Sequence, residues 1–343
     1  AAWPTVFIIV PARDEADVIE RAIQSLLAQI YRGRFRIFLV DDRSSDGTAQ
    51  AARRAESALG LDDRLEIVCG EERPAGWTGK VWAIHQGFAR ALETGAPDYV
   101  LFTDADIVHA PDNLQCLVTR ARESRLVLVS LMAKLRCESL AEKLLIPAFV
   151  FFFAMLLPFG WANDPGRKTA AAAGGCMLVR LDALVAAGGL KAIAGAIIDD
   201  CALARILKRQ GPIWIGLTRR ARSIRPYGGV GDIGRMVARS AYAQLRYSPA
   251  LLCGTLVGMT LVYAAPLLLA LFAPAPMWIA GALAWFLMAL AYQPILRFYR
   301  LSPLWGAALP AVGVLYAGFT ANSAVQHWRG RGGMWKGRAQ AAV

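Results

Sequence analysis

Short apolar runs alternate with helical periods along the first two hundred residues. Residues 5–10 (TVFIIV), 35–40 (FRIFLV), 65–68 (LEIV), 99–102 (YVLF) and 126–130 (LVLVS) are rich in β-branched and aromatic side chains. Such runs suit strands buried on both faces. Between them Val18, Ile19, Ala22, Ile23, Leu26 and Leu27 recur at helical spacing. Further helices are expected from Thr48 to about Leu59, from Lys80 to about Leu92, and after Pro111. Residues 176–179 (CMLV) make another strand, and Ile197-Ile198-Asp199-Asp200 opens another helix. This order predicts an α/β fold, a mostly parallel Rossmann-like sheet wound on both faces.

The pattern then changes. Residues 144–161 (LLIPAFVFFFAMLLPFGW) carry no charge but contain Pro147 and Pro158, and Arg167 and Lys168 follow. The expectation is an interfacial helix lying on a lipid bilayer, with a buried core helix or a true span as the alternatives. Three apolar runs near spanning length close the chain, at about 251–273, 277–296 and 303–320. The predicted domains are 1–247, with the interfacial helix inside it, transmembrane helices over 248–325, and a basic tail at 326–343. Three spans would put Arg297 and Arg300 on one side of the membrane and Arg329, Arg331, Lys336 and Arg338 on the other. The positive-inside rule favours all of them on one side.

Chemistry concentrates where predicted strands end. Residues 11–15 (PARDE), 41–48 (DDRSSDGT) and 103–106 (TDAD) each follow a strand. Parallel strands would bring these loops to one edge, where open α/β sheets bind ligands. Asp104 and Asp106, spaced i, i+2, suit a hard divalent cation that shares its shell with substrate phosphates. A solvated turn is the alternative for them. Asp46, just before Gly47, fits a helix cap as well as a ligand contact. Lys80 follows Gly79 at a helix start, a place suited to phosphate, although the spacing of a Walker A loop is missing. Gly174-Gly175 permits close approach to the backbone. Asp199 and Asp200 open a helix whose dipole favours carboxylates.

Charge and cysteines narrow the class. Thirty-eight Lys and Arg against 26 Asp and Glu give a formal charge of +12. Seven arginines and one acid lie between Arg219 and Arg246, flanking apolar runs. That placement favours anionic lipid headgroups and no nucleic-acid partner. Six cysteines are scattered without a C-x-x-C pair, which argues against a zinc site or a disulfide framework and fits a reducing compartment. His85, His109 and His327 are far apart in sequence, so a histidine metal site is not expected.

The segments VPARDEADVI, VDDRSSDGT, GWTGKVWAIHQG, FTDADIV, GGCMLVR with a later GGL, and IDDCALARILKRQG follow in this order. Together they resemble membrane-bound family 2 glycosyltransferases of the GT-A fold, over roughly residues 4–247. The likeness is closest to the bacterial hopene-associated glycosyltransferases and more distant to the ceramide glucosyltransferases. The tail GGMWKGR resembles the ends of membrane enzymes in this group. The resemblance implies that Pro11, Arg13, Glu15 and Asp42 line a nucleotide pocket with Lys80 nearby. It implies that Asp104 meets the ribose or a metal, and that Asp106 binds Mg²⁺ or Mn²⁺ bridging the donor diphosphate. Asp200 takes the place of the catalytic base. Many members carry Q-x-x-R-W before the first C-terminal span. Here Ala243-Gln244-Leu245-Arg246-Tyr247 keeps the arginine, which would contact the donor, and replaces Trp by Tyr.

The expected function is metal-dependent, inverting transfer of one sugar from a nucleotide-diphosphate sugar, expected to be a UDP-sugar, to a membrane lipid acceptor. A hopanoid acceptor and a cytoplasm-facing domain on a bacterial inner membrane follow from the resemblance. A processive polysaccharide synthase would need a longer channel and an intact Q-x-x-R-W. A silent nucleotide-sugar-binding scaffold would be expected to lose the acids, which are present.

Overall fold

A computed structural model describes residues 2–60 and 63–333. Residues 334–343 of the expected basic tail, with Lys336, Arg338 and most of GGMWKGR, lie outside the described residues. The chain packs as two compact units. One holds the residues up to Leu135 together with Leu157–Arg225; the other holds Arg136–Leu156 and the described residues from Pro226 on.

The first unit is built on one sheet. Its strands are β1 (Val6–Ala12), β2 (Phe35–Asp41), β3 (Leu65–Cys69), β4 (Tyr99–Thr103), β5 (Ile107–His109), β6 (Leu128–Lys134), β7 (Cys176–Arg180) and β8 (Ile213–Ser223). They lie in the order β3-β2-β1-β4-β7-β6-β8-β5. Alternation along β1 explains its continuous apolar run. Val6, Ile8 and Val10 join one buried cluster with helices Ile19–Leu27, Thr48–Ser57 and Asn113–Glu123. Phe7 and Ile9 join another with helices Gly79–Glu93 and Asp199–Leu207. Burying each of these larger side chains stabilises the fold by roughly 1.5–3 kcal/mol.

β1 pairs in parallel with β2 and β4, and β2 with β3. Their exits therefore share one edge. β7 runs antiparallel to both β4 and β6. The sheet is mixed, and a CMLV run looks the same in either direction. The reversal has a consequence for the edge: Thr103 at the end of β4 lies opposite Cys176 at the start of β7, so Gly174-Gly175 arrives beside the acidic loop.

Two strands, β5 and β8, lie outside the predicted set. The first part of the arginine-rich stretch is the end of β8 rather than a lipid-facing flank. There Ala221 and Ser223 are buried while Arg220 and Arg222 are exposed, the period of a half-buried strand. β8 starts in parallel with β6, passes an irregularity, and finishes antiparallel to β5 with Ser223 opposite Ile107.

In the second unit the segment expected at 144–161 is a helix at Leu140–Leu156, which stops just before Pro158. The residue before a proline is pushed out of the helical region, which sets that end. Glu142 is fully buried and accepts from Arg136 and from the backbone N–H of Glu138, Ser139 and Tyr227. Phe151 packs on Tyr292, and Phe152 on Tyr263 and Tyr316. Among the described residues three helices are long and apolar enough to cross a membrane: Pro249–Phe272, Met277–Tyr299 and Pro303–Trp328. The first contains a π turn at Thr260–Ala264. Pro266 explains it, since proline lacks an N–H and clashes with the carbonyl four residues back. Gly281 lets the second helix close on the first, because a Cβ there would lie 2.5 Å from the Ala270 nitrogen.

Candidate active site

Two loops at the parallel edge are laced together. Pro11 lies in β1 opposite Val40, past the last β1–β4 pair at Ile9 and Phe102, so its missing N–H costs no bond to β4. Arg13 Nη1 donates to the Asp42 carbonyl at 2.6 Å and lies 3.5 Å from Asp42 Oδ2. Asp42 is almost wholly buried. Glu15 N–H donates to Thr48 Oγ1, and Asp14 Oδ1 accepts from Ser45 N–H. Asp46 accepts from Thr48 N–H and hydroxyl through Oδ1 and from Ala16 N–H through Oδ2. Burial works against its charge, but these hydrogen bonds outweigh it and hold the carboxyl below its usual range. Asp46 therefore anchors loops rather than facing a ligand.

The helix Gly79–Glu93 brings Lys80 to the acidic loop. Lys80 Nζ lies 2.8 Å from Asp104 Oδ1 and 3.4 Å from Asp199 Oδ2. Burial alone would lower its pKa, but Asp104 and Asp199 outweigh burial and raise it. Asp200 sits beside this pair. Its Oδ2 accepts from Gly174 N–H at 2.9 Å and its Oδ1 from Cys201 N–H at 2.7 Å. Gly174 lies close to both side chains: a Cβ there would lie 3.1 Å from Lys80 Nζ, which would have to give by a few tenths of an ångström, and 3.5 Å from Asp200 Oδ2. Burial, then the charge of Asp199, pushes the Asp200 carboxyl up to about 6, against the pull of Lys80 and the two N–H donors. Such a group is ionised at neutral pH yet still basic enough to take a proton.

Asp106 has other partners. Its Oδ2 accepts from the Ser223 hydroxyl at 2.5 Å and lies 3.5 Å from Arg225 Nε. Arg225 Nη2 donates to Glu15 Oε2. Burial would lower the Arg225 pKa, but Asp106 and Glu15 overcome it and raise it. Behind the loop, His109 Nε2 is 2.9 Å from Thr103 Oγ1 and its Nδ1 is 2.8 Å from Asn113 Nδ2. Thr103 Oγ1 donates to the Gly175 carbonyl. Burial pushes His109 down to about 4, so it is neutral and ties the acidic loop to the Gly174-Gly175 turn.

The first unit thus gathers Asp104, Lys80, Asp199 and Asp200 in one cluster and Glu15, Asp106, Ser223 and Arg225 in another, with Arg13 and Asp42 paired on the adjoining loops. Arg246 belongs to the second unit, in a left-handed turn with Tyr247. Tyr247 stacks on His327 at 4.4 Å. Ser223, Arg225, Thr103 and His109 have no site role on the sequence alone. The period-two pattern around Ala221 and Ser223 is a signal for the strand that delivers the first two.

Among the described residues no three His, Cys, Asp or Glu side chains gather as a cation cage. The Asp104–Asp106 loop still fits a hard cation. Mg²⁺ typically takes one or two carboxylates and completes its shell with phosphate and water, and Mn²⁺ favours the same oxygen ligands.

A mixed sheet with nucleotide-fold topology and an acid-rich parallel edge is the architecture of the GT-A class. Residues 7–185 match the family described as Glycosyl transferase family 2, more than half of the chain, and the chain belongs to that family. It is 30% identical over 90 residues to Glycosyltransferase AglE of Haloferax volcanii, covering 26% of this chain and 29% of that one. It is 31% identical over 121 residues to an N-acetylglucosaminyltransferase of Rhizobium leguminosarum bv. viciae, covering 35% of this chain and 26% of that one. The chain thus spans less than a third of the length of these relatives. Among solved structures it resembles the mannosyltransferase PcManGT from Pyrobaculum calidifontis, described in complex with GDP-Man and Mn²⁺. The TM-score is 0.57 at 20% identity, over 96% of this chain and 88% of that one. At that identity the likeness establishes the fold.

Proposed function

We propose that this protein transfers a single sugar from a nucleotide-diphosphate sugar, a UDP-sugar, to a membrane lipid acceptor, with inversion at the sugar. The observation that carries the reading is Asp200. It is a carboxylate oriented by two backbone N–H groups and set beside Lys80 and Asp104, in a chain of the glycosyltransferase family.

Asp200 takes the proton of the acceptor hydroxyl as that oxygen attacks. A positioned carboxylate of this kind contributes rate without a covalent intermediate. With Asp200 as base and Asp104 assigned to the cation, no carboxylate is assigned as nucleophile, and the reading is a single in-line displacement with inversion. Lys80 offsets the charge of Asp104 and Asp199 and keeps Asp200 ionised. Arg13 and Asp42 set the nucleotide loop, with Pro11 and Glu15 beside them, and Arg246 is assigned to the donor. Asp104 and Asp106 would hold Mg²⁺ or Mn²⁺. When bound, that cation stabilises the charge that develops on the departing diphosphate.

The three helices of spanning length and composition among the described residues support an acceptor in the bilayer. The helix Leu140–Leu156 belongs to the same apolar unit, and we assign it to the membrane interface. The likeness to hopene-associated enzymes supports a hopanoid acceptor and a cytoplasm-facing first unit on a bacterial inner membrane. The test incubates the full chain with labelled nucleotide sugars and a membrane lipid extract. A single labelled lipid supports the reading. Polymer would favour a synthase, and binding without turnover would favour a scaffold.

A further inference from the structure

Arg225 has no part in the assignments above, yet it joins two of the residues in them. Glu15 and Asp106 leave the sheet edge on different loops. The guanidinium spans them, with Nη2 on Glu15 Oε2 and Nε 3.5 Å from Asp106 Oδ2. Glu15 is 8% exposed and Asp106 15%, so both carboxylates are largely withdrawn from water. Two such charges side by side need a cation near them. The Arg225 side chain is 30% exposed, more than either carboxylate.

The fold delivers this arginine to that place. β8 leaves β6 and finishes on β5, with Ser223 opposite Ile107. Just beyond, Ile224 N–H donates to the Asp106 carbonyl at 3.0 Å, and the Ser223 hydroxyl donates to the Asp106 carboxylate at 2.5 Å. Main chain and side chain both clamp the strand exit to the acidic loop. Lysine would bring one compact charge, whereas a guanidinium offers a fork wide enough for two carboxylates.

We propose that Arg225 occupies the place of the divalent cation on Asp106 until a nucleoside diphosphate arrives. The proposal rests on the reading of Asp106 as a cation ligand. A divalent cation then displaces the guanidinium from Asp106 while Glu15 keeps hold of its other edge. The freed N–H groups turn to the diphosphate, whose oxygens suit the same fork. A cation without diphosphate must evict Arg225 from Asp106 and leave it Glu15 and the weaker pull of Asp17. A cation with diphosphate gives the arginine a new partner. Cation binding therefore becomes conditional on the donor.

The test measures Mn²⁺ binding to the detergent-solubilised full chain, from the spin-resonance signal of free Mn²⁺, with and without UDP or GDP. Arg225→Ala should bind Mn²⁺ alone about tenfold more tightly than wild type, the scale of one partly buried ion pair removed from Asp106. The same variant should lose about tenfold in Mn²⁺-dependent nucleotide affinity. Arg225→Gln, which keeps a hydrogen-bonding group without charge, should do the same and stands in if the alanine variant does not fold. Arg225→Lys should fall between. Unchanged Mn²⁺ affinity in the folded variants, with wild-type binding that Asp106→Ala abolishes, overturns the role of Arg225 alone. Wild-type Mn²⁺ binding that Asp106→Ala leaves intact overturns the cation reading of Asp106 and this proposal with it.

Discussion

Asp104 and Asp106 stand two residues apart in one loop, yet their partners come from opposite parts of the sheet. Asp104 meets a lysine from the helix Gly79–Glu93, shared with Asp199 beside Asp200. Asp106 meets a serine and an arginine from the end of β8. Ala105 between them is buried at 3% exposure, while the Asp104 side chain is 33% exposed and that of Asp106 15%. The comparison shows how one short motif serves two electrostatic tasks. The Asp104 cluster surrounds a carboxyl whose pKa it tunes. The Asp106 cluster contains an arginine whose charge is permanent, so geometry rather than titration governs it.

The largest expected effect breaks the first cluster. Asp200→Asn keeps size and one hydrogen-bonding oxygen but removes the base, so turnover should fall by roughly 10²–10⁴. Donor affinity should barely change. Donor titration and turnover on one purified sample check both, and near-normal turnover would transfer the role to Asp199.

Breaking the second cluster should act on binding. Asp106→Ala should lose the part of nucleotide-sugar affinity that depends on Mg²⁺ or Mn²⁺, on the order of 10–100-fold, about 1.4–2.8 kcal/mol. Titrations with and without the metal measure it.

A pH profile sharpens the contrast further. Asp200 is pushed up to about 6, and a base works only when ionised, so wild-type turnover should decline as pH falls through about 6. Lys80 pulls that value down, so Lys80→Met should move the acid limb to higher pH. Asp199 pushes it up, so Asp199→Asn should move the limb to lower pH. Arg225→Lys should leave the limb in place, since its partners are Glu15 and Asp106 rather than Asp200.

The smallest effect lies outside both clusters. Asp46→Ala removes the acceptor of Thr48 N–H, the Thr48 hydroxyl and Ala16 N–H, beside the Gly47 N-cap of the helix Thr48–Ser57, and should cost about 1 kcal/mol of stability, read from denaturant melts. Turnover per folded molecule should stay the same. A large loss of turnover there would mean that the nucleotide loop depends on Asp46 for more than support.

The parallel half of the sheet was legible because continuous apolar runs ending in acidic loops leave few other arrangements. Asp104, Asp106 and Lys80 stood out for the same reason, as charged groups where packing alone has no use for them. β8 was not legible: Arg219, Arg220 and Arg222 look like a basic flank until burial shows which side chains face inward. Arg225 was hidden because an ion pair across more than two hundred residues leaves no local pattern. His109 was hidden because a lone histidine on an apolar stretch looks like any core histidine.

The second unit takes Arg136–Leu156 out of the middle of the first, and that detour has a consequence for synthesis. β7 lies between β4 and β6 in space but begins about 40 residues after β6 ends. At roughly 5–20 residues per second, a ribosome needs on the order of 2–8 s to cross that gap. During that interval β4 and β6 wait without their shared neighbour while an apolar helix has already emerged. Nascent chains halted before Cys176 should therefore be open to protease within a sheet that resists digestion once residue 225 has left the ribosome.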